Sequence, residues 1–119
     1  DFGPLVTAQA LERVKGYVDI GVKEGGELVV DGRDFKMQGY ENGYYMAGCL
    51  FDNVTPDMKI YKEEIFGPVL SIVRANTYED ALRLPNEHEY GNGVSIFTRD
   101  GDAARDFAAR VQVGMVGVN

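Results

Sequence analysis

The second half of the chain constrains the fold most. From Val69 onward, short apolar runs alternate with segments of helical spacing, and only a few residues join one to the next. Val69 to Arg74 reads as a strand, and Thr77-Tyr78-Glu79-Asp80 as a capping box that opens a helix. Gly93 to Thr98 reads as a second strand, Asp100-Gly101-Asp102 as the acidic start of another helix, and Met115 to Asn119 as a last strand. Parallel neighbours need a long crossover, and a helix is its usual form. The order therefore predicts an α/β fold: βαβ units making a mostly parallel sheet with helices on its faces. Tyr78, Ala81 and Leu82 are expected to face inward on the first of these helices, with Pro85 ending it or distorting its last turn. On the second helix the expected buried stripe is Ala104, Phe107, Ala108 and Val111.

The first half is less regular. Leu11, Val14, Val18 and Val22 recur at helical spacing between Thr7, a cap, and Gly25-Gly26, a stop. Glu27 to Val30 is a brief β-branched run that ends at the Asp31-Gly32 turn signal. Arg33 to Gly43 has little periodicity and reads as a loop. Tyr44 to Val54 is rich in aromatic and aliphatic residues and should hold a strand, broken afterwards by Thr55-Pro56-Asp57.

At 119 residues the chain has room for one domain and one packed core. Apolar residues at 45% and charged residues at 26% fit a globular chain and exclude a disordered or collagen-like one. A net charge of -7, with scattered basic residues, disfavours nucleic acid as a partner. No apolar run approaches the roughly 20 residues of a membrane helix. A lone cysteine, Cys49, excludes an internal disulfide and a cysteine-based zinc site and points to a reducing compartment, the cytoplasm. A lone histidine, His88, gives no spacing for a metal site. The chain opens on Asp1-Phe2-Gly3-Pro4 without an initiating Met or a signal-peptide pattern, and it stops on an apolar run, so both ends are expected to be cuts in a longer protein.

Lys62-Glu63-Glu64-Ile65-Phe66-Gly67-Pro68-Val69 is the stretch with most chemistry in it. If the chain is extended there, Glu64 and Phe66 lie two apart and point the same way, toward one ligand. Gly67 permits a bend or a close approach, and Pro68 restricts Gly67 to extended conformations. A carboxylate suits the paired hydroxyls of a ribose, and a ring face suits a flat nicotinamide. An exposed Glu beside a core Phe at a strand entrance accounts for the same letters, and the chemistry by itself leaves both readings open. Cys49, in an apolar run without a basic neighbour, reads as a buried inert thiol. His88 reads as a solvated residue at a helix end. Gly91-Asn92-Gly93 opens a strand, whereas a phosphate loop leads from strand into helix.

Glu63-Glu64-Ile65-Phe66-Gly67-Pro68, preceded by Pro56-Asp57-Met58, is similar to the EEIFGP signature of the aldehyde dehydrogenase superfamily. The flanking order agrees: Gly3-Pro4-Leu5-Val6 before the first helix, Tyr90-Gly91 before the strand at Val94, and Val113-Gly114 before Val118-Asn119. Tyr90-Gly91-Asn92-Gly93 and Val113 to Asn119 look most like the CoA-acylating methylmalonate-semialdehyde dehydrogenases. The resemblance covers residues 1–119 and implies part of an aldehyde dehydrogenase catalytic domain, with the dinucleotide-binding domain and the nucleophile segment lying outside it. It implies oxidation of methylmalonate or malonate semialdehyde with NAD as cofactor and CoA as co-substrate, giving propionyl-CoA or acetyl-CoA and carbon dioxide. In that chemistry a cysteine thiolate adds to the aldehyde, hydride leaves for the nicotinamide, and the thioester passes to CoA. It also implies that Glu64 hydrogen-bonds the nicotinamide ribose, that Phe66 packs near the nicotinamide ring, and that Glu63 is a supporting or surface residue. Arg13 matches a position where some members carry a cofactor-facing lysine, although its neighbours match poorly. Cys49 is not the family nucleophile. The parent is expected to be a homo-oligomer, in the cytoplasm or, if eukaryotic, in the mitochondrial matrix, and the chain alone is expected to be inactive. Three alternatives stand beside this: another NAD(P)-dependent aldehyde dehydrogenase, a free-standing α/β binding module, and an assembly role through apolar surfaces.

Overall fold

A computed structural model describes residues 3–119. They form two compact units, residues 3–74 and residues 75–119.

The first unit opens with helix α1, Ala8–Lys23. Thr7 is its cap, with extended backbone and a hydroxyl that accepts from the Ala10 N–H at 3.1 Å. The stop comes from the glycine pair. Gly25 takes φ +98, its N–H donates to Val22 O at 3.1 Å, and the Gly26 N–H donates to Gly21 O at 2.9 Å. That double bond pattern closes the helix and uses carbonyls that would otherwise be orphaned. The buried face differs from the expected stripe. Val14 and Val18 are fully buried, but Val22 is 47% exposed and Gly21 takes its place. A Cβ at Gly21 would lie 2.8 Å from Ile60 Cδ1 and 2.9 Å from Phe51 Cζ, so the helix meets the core there with bare backbone.

Strands β1 (Glu27–Val30), β2 (Cys49–Asp52) and β3 (Val69–Ser71) form a sheet in the order β1-β2-β3. β2 and β3 are parallel, pairing Cys49 with Val69 and Phe51 with Ser71. β1 is antiparallel to β2, with an irregularity between Leu28 and Val30, a direction its composition left open. The strand expected within Tyr44 to Val54 covers only Cys49–Asp52, and β3 stops three residues short of Arg74. Arg33 to Gly43 is turns and loop, as read from its composition. A short helix, α2 (Lys59–Lys62), was not anticipated. The core joins Val14 and Val18 of α1 to Met46, Cys49, Phe51, Val54, Met58 and Ile60.

The second unit contains α3 (Tyr78–Glu87), β4 (Gly93–Ile96), α4 (Gly101–Arg110) and β5 (Met115–Val118). β4 and β5 are parallel with α4 as the connection, pairing Gly93 with Met115 and Ile96 with Val118. Thr77 caps α3, accepting from the Asp80 N–H at 3.1 Å and donating to the Asp80 carboxylate at 2.8 Å. Asp100 caps α4, accepting from Asp102 N–H at 2.8 Å and Ala103 N–H at 3.1 Å. α3 does not end at Pro85. It runs through the proline to Glu87, which places Pro85 in the last turn, one of the two positions expected of it. Asn86, just beyond, then serves α4: its amide donates to Arg110 O at 3.2 Å and accepts from Gln112 N–H at 2.7 Å. The inward residues are fewer than expected. Leu82, Phe107 and Val111 are buried and pack with Val94, Ile96 and Val113, whereas Ala81 and Ala108 are exposed, Ala104 is half-buried and Tyr78 is 36% exposed. Tyr78 instead donates its hydroxyl to Asp106 at 2.8 Å, and Arg110 joins Asp106 to Glu79.

Candidate cofactor-facing site

The site is built on the segment between α2 and β3. α2 has no side-chain cap of its own, since Met58 precedes it. Glu24, at the end of α1, supplies one: its carboxylate accepts from the Lys59 N–H at 2.7 Å. After Lys62 the backbone extends at Glu63, with φ -103 and ψ 145. The Glu63 carboxylate accepts from the Tyr17 hydroxyl at 2.5 Å and lies 3.7 Å from the Lys59 ammonium. The hydrogen bond to Glu63, with burial second, pushes the Tyr17 phenol above its ordinary pKa. Arg13 and Lys59 each place their cationic group 5.8 Å from the centre of the Tyr17 ring. Arg13 thus stands beside Tyr17, on the face of α1 that carries the anchor for Glu63.

Glu64 and Phe66 are both exposed, and Ile65 between them is half-buried against the first core. Burial therefore alternates as the spacing suggested. The backbone reason is different, however. Phe66 has φ +51, so the chain is not extended there and the rule of alternate side chains does not govern it. A bulky non-glycine residue in the left-handed region is uncommon and costs roughly 1–2 kcal/mol. Such outliers gather where function needs a side chain presented against its backbone preference. The ring so presented is 72% exposed, so Phe66 takes no part in the core that these residues form among themselves. Among the described residues, no hydrogen bond or ion pair occupies the Glu64 carboxylate, so its acceptor oxygens are available.

Gly67 is required by a close approach. A Cβ there would sit 2.6 and 2.7 Å from the two methyls of Val14. The Gly67 carbonyl accepts from Val69 N–H at 2.8 Å, and the Pro68 carbonyl from Cys49 N–H at 2.8 Å, so the turn passes straight into the parallel pairing of β2 and β3. Gly48, Cys49, Gly67, Pro68, Val69 and Leu70 line a shallow groove of about 510 Å³ beside it. Cys49 itself is 3% exposed and its Sγ accepts from Gly32 N–H at 3.3 Å, which fits an inert structural thiol. His88 caps the end of α3, its Nδ1 accepting from Tyr90 N–H at 3.0 Å. Gly93 begins β4, so the glycine pair there belongs to a strand entrance. Among the described residues no group of His, Cys, Asp and Glu side chains could hold a metal, and no helix is long and apolar enough to cross a membrane.

A carboxylate with available acceptors beside a presented ring fits the sugar and the base at the redox end of a nicotinamide nucleotide. Nothing in Glu64 or Phe66 is suited to a phosphate. The residues that hold this surface in place, Tyr17 and Glu24, carried no signal in the sequence. Their contacts join positions 46 and 35 residues apart, and neither belongs to a local motif.

The profile of the aldehyde dehydrogenase family matches residues 1–119, and the chain belongs to that family. Its relatives within the family include semialdehyde dehydrogenases. The chain is 63% identical over its whole length to malonate-semialdehyde dehydrogenase of Pseudomonas aeruginosa, covering 24% of that protein. It is 50% identical, again over its whole length, to the mitochondrial acylating methylmalonate-semialdehyde/malonate-semialdehyde dehydrogenase of Rattus norvegicus, covering 22% of it. A crystal structure from Sinorhizobium meliloti 1021, assigned as a methylmalonate-semialdehyde dehydrogenase and complexed with NAD, superposes with a TM-score of 0.96 at 68% identity, over 99% of this chain and 24% of that one. The chain thus spans about a quarter of the length of the relatives it matches.

Proposed function

We propose that these residues belong to the catalytic domain of an NAD-dependent, CoA-acylating dehydrogenase of methylmalonate or malonate semialdehyde, and that their part in it is to fix the redox end of NAD. The observation that carries this is Phe66, a large ring held at φ +51 and 72% exposed, two residues from the exposed Glu64. Similarity to the semialdehyde dehydrogenases supports the substrate class, and the acylating rat relative supports CoA as acyl acceptor. Bound NAD supplies the hydride acceptor. Glu64 would accept hydrogen bonds from the nicotinamide ribose and Phe66 would back the ring, which together would orient the hydride acceptor. Neither side chain transfers a proton. Their contribution is placement, which lowers the barrier by removing unproductive orientations. The 119-residue chain alone should produce no NADH. The parent is a homo-oligomer of the cytoplasm or the mitochondrial matrix, and β1 and β5, with Val29 53%, Met115 63% and Val118 48% exposed, offer apolar area for contacts with the rest of such an assembly.

The test is Glu64→Gln in the full-length enzyme. Loss of charge-assisted hydrogen bonding, worth about 1.5–3 kcal/mol, should lower kcat/KM for NAD by roughly ten- to a hundredfold. Unchanged NAD kinetics would remove Glu64 from the site.

A further inference from the structure

Four anchors hold the segment from Lys59 to Gly67, and all four come from one face of α1 and its end. Val14 meets Gly67, Tyr17 holds Glu63, Gly21 receives Ile60, and Glu24 caps Lys59. Positions 14, 17, 21 and 24 are spaced by three, four and three, which places them along one stripe of a helix. The stripe runs against the segment in reverse order, so α1 acts as a ruler laid along it. Three of the anchors act near the ends of the segment. Only Tyr17 acts beside Glu64 itself, one peptide away.

The sequence puts two carboxylates, Glu63 and Glu64, next to each other at the place where one is wanted. The structure separates their tasks. Glu63 is drawn to α1 by the Tyr17 hydroxyl and by Lys59, while Glu64 is exposed and unengaged among the described residues. The Lys59 contact is an exposed pair at i,i+4 and holds little by itself. The phenol is the directional member. Its ring is in turn flanked by the cations of Arg13 and Lys59.

We propose that Tyr17 is a positioning residue for the cofactor site: by committing Glu63 to α1 it fixes which of the two adjacent glutamates meets the ribose, and at what height. The inference rests on the role assigned to Glu64 above. It requires no contact between Tyr17 and the cofactor. It acts through Glu63, so its effect should vanish when Glu64 can no longer do its work.

The experiment compares Tyr17→Phe, Glu63→Gln, Glu64→Gln and the double variant Tyr17→Phe/Glu64→Gln in the full-length enzyme, reading single-turnover NADH formation at saturating NAD and KM for NAD. Tyr17→Phe should slow NADH formation by about three- to tenfold, the effect of one lost hydrogen bond. Glu63→Gln keeps an acceptor for the phenol and should lose less than Tyr17→Phe. In the Glu64→Gln background, Tyr17→Phe should add nothing. A Tyr17→Phe enzyme with wild-type rate, or one losing the same factor in both backgrounds as a merely structural defect would, overturns the inference while leaving Glu64 in place. A silent Glu64→Gln removes the ribose role, and the inference falls with it.

Discussion

Gly67→Ala is the sharpest perturbation of the packing that seats the site. Gly67 lies outside the left-handed region, so alanine meets no backbone penalty there, and the residue before a proline favours the extended form in any case. The whole effect is steric. The new methyl would stand 2.6 and 2.7 Å from the Val14 methyls, and Val14 is fully buried with one stiff side-chain torsion. Overpacking of this kind costs about 1–3 kcal/mol. Alanine returns about 0.4–1 kcal/mol by restricting the unfolded chain, which leaves a net loss of about 1–2 kcal/mol. In the full-length enzyme this should appear as roughly five- to thirtyfold faster amide hydrogen exchange over residues 59–74, measured by mass spectrometry under conditions where opening is a fast pre-equilibrium. Val14→Ala removes both colliding methyls. In that background Gly67→Ala should therefore change exchange by less than about twofold. Exchange at the wild-type rate in Gly67→Ala, or an equal increase with and without Val14, would show that the turn is not seated on α1 as described.

Two further perturbations separate strain from electrostatics. Phe66→Gly relieves the left-handed backbone at a cost in chain flexibility, so local stability should stay within about 1 kcal/mol of wild type while KM for NAD rises; a parallel collapse of stability would show that the ring is a packing residue. Asp31 accepts from Arg33 at Nε, at the guanidinium and at the backbone N–H, which lowers its pKa to about 2. A lowered folded-state value means the interaction stabilises the fold above the ordinary Asp range and is lost as the pH falls from there toward about 2. A carbon-detected titration of the Asp31 carboxyl should give that low midpoint and return toward about 3.9 in Arg33→Ala; an ordinary midpoint in the wild type would contradict the pairing.

What the sequence revealed about the fold was local. Thr7 and Thr77 were legible as caps, and Asp100-Gly101-Asp102 as a helix start, because a cap is a contact within three residues. Gly25-Gly26 was legible as a stop for the same reason. The errors came where distant parts of the chain decide. Val22 looked like the next core residue of α1, but the core reaches that level through Gly21, whose lack of a side chain hides it from any reading based on hydrophobicity. β1 has the composition of a strand in either direction, and only its pairing with β2 makes it antiparallel. Pro85 could be read either as the end of α3 or as a residue of its last turn, and the choice falls to the second where Leu82 packs against Phe107 and Val111. At the candidate site, Glu64 and Phe66 were singled out from their motif, whereas the left-handed turn at Phe66 and the anchor at Tyr17 had no signal in the sequence. Both depend on how the segment lies on α1, a contact between residues far apart in sequence.

The most direct measurement is a crystal structure of the full-length enzyme with NAD bound. The Glu64 carboxylate should lie within hydrogen-bonding distance of the nicotinamide ribose hydroxyls, the Phe66 ring should lie against the nicotinamide with φ still positive, and Glu63 should remain on Tyr17. A ribose held by other groups, with Glu64 and Phe66 both turned to solvent, would contradict it.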